Sequence, residues 1–229
     1  TAAVALLARS QTAPAPSDLR VQRKRILRYL GPSLPSALYY SIQGPLVVWL
    51  SASFGSTRNI AEVGAIGRLG LVVGVFGSLT GTVFLPRLAQ IQDPRLYLRR
   101  CLQFGAMMAS IAVTLFALAS IFPSAFLAVL GPSYHGLHEE LRLVVAAAGL
   151  TLLSGYLVGV NLSRAWNRLE VLAVIAMFAV QTTLVAVVSL GTTKGVLVFG
   201  LVSAATGLLL QIAISALGFS GSKWVERSL

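Results

Sequence analysis

LVVAAAGLTLLSGYLVGVNLS, residues 143–163, runs for 21 residues between Arg142 and Arg164 without one charged side chain. At 1.5 Å per residue a helix of this length covers about 30 Å, the thickness of the hydrocarbon in a bilayer. Its first part, Leu143–Leu153, shows none of the polar–apolar alternation that a membrane strand of about ten residues requires. The stretch reads as a transmembrane helix, and the rest of the chain repeats it. Arg28 and Arg58 enclose 29 uncharged residues, Arg68 and Arg87 18, Arg100 and Glu139 38, Glu170 and Lys194 23, and Lys194 and Lys223 28. The shortest of these gaps is long enough when extended backwards through Arg68 to Ile60. The expected spans are 34–54, 60–85, 102–123, 142–163, 170–190 and 195–217. The fold class is an all-α membrane protein, a six-helix transmembrane bundle.

Composition agrees. Of 229 residues, 56% are hydrophobic and 11% charged, against about 25% charged in a soluble domain. Six uncharged runs of this length leave too little to coat a water-facing surface, which excludes the buried core helices of a soluble protein.

Charge then sets the orientation, because cytoplasmic loops carry the excess of Lys and Arg. With the N-terminal segment inside, Arg9, Arg20, Arg23, Lys24, Arg25, Arg28, Arg87, Arg95, Arg99, Arg100, Arg164, Arg168, Lys223 and Arg227 are cytoplasmic. Only Arg58, Arg142 and Lys194 lie outside, and Arg68 falls within a span. Both termini are therefore expected in the cytoplasm, with the chain multi-pass in the cytoplasmic membrane. The net charge of +11 reads as topology and contact with anionic lipid; the bilayer is the partner and no nucleic acid is implied. One cysteine, Cys101, rules out an internal disulfide.

Three segments follow. Residues 1–30 read as the end of a preceding helix plus a basic cytoplasmic linker, with Pro14 and Pro16 in its flexible part. Residues 31–218 form the bundle, and 219–229 a cytoplasmic tail. On this reading the chain is part of a longer protein.

Within the spans, Gly67, Gly70, Gly74, Gly77 and Gly81 recur at steps of three and four, with Gly64 before them. They form a seam on one face of the second span, where small residues let two membrane helices approach closely. Arg68 lies beside the seam, some seven residues inside the external end and about 100° round from Gly67. An ionisable residue at membrane depth is a candidate functional group, and snorkelling to the headgroups is the alternative. The first span holds Pro35 and Pro45, and its Ser36, Tyr40 and Gln43 share one helical face. Broken helices are tolerated where they pack inside protein or line a watery cavity. Thr151, Ser154 and Asn161 form a weaker polar stripe, while Gln181, Thr182 and Thr183 put an amide and two hydroxyls mid-membrane, as interhelical glue.

Catalytic constellations are missing. His135 and His138, in an HxxHEE loop, read as incidental external residues, so no metal is expected. No Gly-rich phosphate cradle occurs, and no cofactor is implied. Glu62 and Glu170 approach the membrane only near span ends, so no carboxylate pair for catalysis is found. The chain reads as a non-enzyme.

The order of several short pieces resembles a known family. They are Arg28-Tyr29-Leu30-Gly31-Pro32, Ala61-Glu62-Val63-Gly64, Phe84-Leu85-Pro86-Arg87-Leu88 and Leu130-Gly131-Pro132-Ser133-Tyr134, followed by Leu141. Their succession is similar to that in the polysaccharide-biosynthesis (Wzx-like) flippases of the multidrug/oligosaccharidyl-lipid/polysaccharide exporter superfamily. The resemblance covers about residues 28–217 and implies one half of a twelve-helix MATE-like transporter, paired with an upstream six-helix half. It implies a flippase for a lipid-linked glycan working by alternating access, with Ser36, Tyr40, Gln43 and Arg68 lining this half's cavity wall. The alternatives are a cation-coupled small-molecule exporter of the same superfamily, for which no mid-span acid is read here, and a non-transporting membrane scaffold.

Overall fold

The computed structural model describes residues 31, 34–164, 166 and 169–220. The segment 1–30 and all but the first two residues of the 219–229 tail lie outside the described residues, as does the side chain of Tyr40. Every described element is helical: α1 Leu34–Phe54, α2 Thr57–Leu79, a π turn Thr80–Phe84, α3 Leu85–Ala89, α4 Pro94–Ile121, α5 Pro123–Ala128, a 3₁₀ turn Pro132–Tyr134, α6 His138–Ser163, α7 Glu170–Val187 and α8 Thr193–Ser220. Five stretches are long and apolar enough to cross a membrane: Thr57–Ala89, Pro94–Ile121, His138–Ser163, Glu170–Val187 and Thr193–Ser220. α1 has 21 residues, of which Pro45–Phe54 form a shorter apolar helix. The chain is an all-α membrane bundle.

Helix starts differ from the expected spans where local chemistry adds a turn. α2 begins at Thr57 because the Ser56 hydroxyl accepts from the Asn59 amide, capping an orphan N–H. α4 begins at Pro94, eight residues before the apolar run, because Asp93 caps it through the Arg95 amide and proline suits the first helical position. The π turn ends just before Pro86. A proline ring collides with the carbonyl four residues back, and a widened turn over Thr80–Phe84 absorbs that conflict within one continuous span.

α6 is the hub, packed against α2, α4 and α8; α7 packs on α8, and α1 on α2, α7 and α8. Val73, Leu88, Tyr97, Cys101, Met108, Leu152, Tyr156 and Val160 make the largest core cluster, between α2, α3, α4 and α6. Its Tyr156 hydroxyl donates to the Cys101 carbonyl at 2.7 Å. At one end of the bundle the α3–α4 and α6–α7 connections meet, where the Arg164 guanidinium donates to the Ile91 carbonyl and lies 3.8 Å above the Tyr97 ring. This is the basic end, carrying Arg87, Arg95, Arg99, Arg100 and Arg164. At the opposite end Asn59 donates to the Gly191 carbonyl at 2.6 Å, Thr193 donates to Glu62 at 2.7 Å, and Lys194 pairs with Glu139.

Candidate functional site

α8 carries Ser203, Gly207, Gln211 and Ser215 at steps of four, and four-residue steps fall on one helical face. All four are buried. They meet the polar positions of α6: a Cβ on Gly207 would sit 3.7 Å from the Ser154 hydroxyl, and Asn161 bonds directly to Gln211. Towards the basic end this seam becomes a polar cluster across four helices. The Ser215 hydroxyl donates to Asn161 Oδ1 at 2.8 Å, Asn161 Nδ2 to Gln211 Oε1 at 2.9 Å, and Gln211 Nε2 to the Glu170 carboxylate at 3.1 and 3.3 Å. From α1 the Ser36 hydroxyl donates to the other side of Glu170, 3.1 Å from Oε2. Relative exposures are 5% for Ser36, 0% for Asn161, 4% for Glu170, 1% for Gln211 and 8% for Ser215, so the group is sealed.

Glu170 is the residue that sequence reading undervalued. It opens α7, where a negative charge meets the positive end of the helix dipole. Its position along the chain, near a span end, is as expected, but packing turns it into the bundle interior. Its partners among the described residues are neutral: two oxygens share donors from Ser36 and Gln211, and no ion pair reaches it. Removing a carboxylate from water costs several kcal/mol unless it is compensated. Among the described residues, donors from α1 and α8, with Asn161 of α6 behind Gln211, supply that compensation.

The residues expected at a cavity wall do not gather in one place. Ser36 is drawn inward and spent on Glu170. Gln43 is half-buried on α1. Arg68 is exposed on α2, on the side opposite the core-facing Val63, Ile66 and Val73. With α2 beginning at Thr57, Arg68 lies six residues beyond Glu62, about 9 Å deeper along the axis. The glycine seam also divides. A Cβ on Gly70 would meet Val144 and Ala148, and one on Gly77 would meet Leu152, so these two pack on α6. Gly67, Gly74 and Gly81 have nothing within 4 Å of that position and face outward with Gly64. A seam spread over about 80° of helix cannot all lie under one neighbour, and α6 covers only its inner edge.

Among the other polar positions, Gln181 donates to Ser203 at 3.3 Å, joining α7 to α8. Thr182 and Thr183 return their hydroxyls to the carbonyls of Phe178 and Ala179 in their own helix, as Thr151 does to Ala147. His135 follows the 3₁₀ turn and His138 opens α6; among the described residues no three His, Cys, Asp or Glu side chains group to hold a metal. Compared with protein families, curated proteins and solved structures, the chain matches none of them.

Proposed function

We propose that this chain is one half of a MATE-like membrane flippase that moves lipid-linked oligosaccharide across the cytoplasmic membrane by alternating access. The observation that carries the reading is the outward face of α2. It presents Arg68 at membrane depth beside exposed Gly64, Gly67, Gly74 and Ser78, with Leu71, Val72, Val75 and Leu79 exposed on the same side. A guanidinium costs free energy in hydrocarbon and repays it when it meets a phosphate through paired, charge-assisted hydrogen bonds. Glycines beside it leave room for a sugar–phosphate head between this face and an opposing six-helix half, while the lipid tail stays in the bilayer.

Translocation of glycan-lipid in proteoliposomes containing the whole protein tests this. Arg68→Ala lowers the rate at least about tenfold, the value of one charge-assisted hydrogen bond; an unchanged rate removes Arg68 and the reading that rests on it. A second reading, a cation-coupled exporter of small molecules, is favoured by one observation, the sealed carboxylate of Glu170. The two part on substrate: glycan-lipid moves in the first and a free organic cation in the second.

A further inference from the structure

α4 is longer than the hydrocarbon layer is thick. Its 28 residues rise about 42 Å, about 12 Å more than that layer needs. The excess lies at its start, because the uncharged run begins only after Arg100. Residues 94–100 therefore stand among the headgroups at the basic end, and Leu102 is the first large apolar residue exposed beyond them.

Two ridges cross this junction on the outward side of α4. Arg95, Arg99 and Gln103 form one at steps of four, and Leu98, Leu102 and Ala106 form the other, all within about 140° of helix. The six are exposed and line a shallow groove of about 490 Å³. The buried Tyr97, Cys101 and Met108 occupy the opposite side. Among the described residues neither guanidinium pairs with a carboxylate. The ion pairs are Arg58–Glu62 and Lys194–Glu139, Asp93 accepts from the main-chain amide of Arg95 as the cap of α4, and Glu170 is buried on α7. Gln103 Oε1 accepts from Arg100 at 3.2 Å, so what it offers the groove is its amide donor.

We propose that this groove binds one acidic phospholipid of the bilayer, its phosphate clasped by Arg95 and Arg99, an ester carbonyl at the Gln103 amide, and an acyl chain along Leu102 and Ala106. Guanidiniums four residues apart are neighbours on a helix surface, and each presents a planar fork that matches phosphate oxygens. The occupant must carry negative charge at one end and hydrocarbon at the other, in that order along the axis. A phospholipid does so, and a soluble phosphate or an acidic peptide does not. An acidic headgroup is favoured over a zwitterionic one because choline would bring a third cation to two guanidiniums. The site is narrower than the general attraction of basic ends to anionic lipid, which every exposed cation shares. Arg87, also exposed, lines no part of the groove, and Arg164 is engaged by the Ile91 carbonyl and the Tyr97 ring. The site does not rest on the flippase reading.

Native mass spectrometry of the whole protein in detergent, titrated with dioleoyl phosphatidylglycerol or dioleoyl phosphatidylcholine, tests the proposal. The first phosphatidylglycerol binds at least about tenfold more tightly than phosphatidylcholine. Arg95→Gln combined with Arg99→Gln lowers the phosphatidylglycerol affinity at least about tenfold and leaves that for phosphatidylcholine in place. Both positions are exposed, so the variant folds, and its helix content by circular dichroism stays that of the wild type. Arg87→Gln combined with Arg100→Gln removes the same charge from outside the groove and changes the affinity less than about threefold. Glycerol phosphate, the headgroup without its chains, does not compete. Equal affinity for the two lipids, an unchanged affinity in the groove variant, equal losses in the two double variants, or competition by glycerol phosphate overturns the proposal. So does a dimer that appears in place of the lipid-bound species and is lost in the groove variant, since the occupant would then be a second copy.

Discussion

The interior of the bundle at its basic end and the outward face of α2 each hold a charged residue, Glu170 and Arg68, yet on opposite terms. Inside, Ser36, Asn161, Glu170, Gln211 and Ser215 satisfy one another across four helices and exclude solvent. On α2, Arg68 and the outer glycines stand exposed. Lipid offers no hydrogen bonds, so a membrane helix either closes its polar groups internally or presents them to something other than lipid. The first region is finished within this chain. The second lies open on the surface of this chain.

The sharpest way to break that contrast is to remove one internal donor. Gln211→Leu leaves Glu170, among the described residues, with Ser36 alone, and leaves Asn161 Nδ2 only its longer bond, 3.4 Å, to the main-chain carbonyl of Gln211's position. Stability in detergent, read from denaturation midpoints, falls by about 3 kcal/mol, in the range for a stranded buried charge. Arg68→Leu, by the same measurement, changes stability by less than about 0.5 kcal/mol, as a surface substitution does. Equal losses for the two variants erase the distinction.

A smaller effect separates the glycines. Gly149 is buried, and a Cβ there would stand 3.1 Å from that of Ala112 on α4. Gly149→Leu overpacks the α4–α6 contact and costs about 1–3 kcal/mol. Gly64→Leu meets open space and leaves the stability of this chain unchanged in the same assay. A large loss at Gly64 would place it inside the fold.

The long uncharged runs made the helices legible, since a gap between charges of about 20 residues has few other uses. The ends were less so. Capping by Asp93 with Pro94 and by Ser56 extends α4 and α2 beyond their apolar stretches, and the π turn answers to Pro86 rather than to any hydropathy pattern. The site was read in part. Of the stripe Thr151, Ser154 and Asn161 and the expected glue Gln181, Thr182 and Thr183, Asn161 and Gln181 bond across helices, while the three threonines bond back into their own. Glu170 was passed over because position along a span says how deep a residue lies and nothing about which way it turns. The missing signal was on α8. Ser203, Gly207, Gln211 and Ser215 share one face of a span whose single charge, Lys194, lies at its start, and a lone amide on such a stripe marks the side that seeks a buried partner.

Whether the outer face of α2 meets water decides the account. In a Cys101→Ala background, single cysteines at Gly67, Arg68, Gly74 and Ser78 are to be treated with a membrane-impermeant thiol reagent in proteoliposomes containing the whole protein, with Leu102 and Val113, exposed on α4, as lipid-facing references. A path for a charged head predicts rapid modification at the α2 positions and none at the α4 references. Protection at all four α2 positions, matching the references, would contradict it.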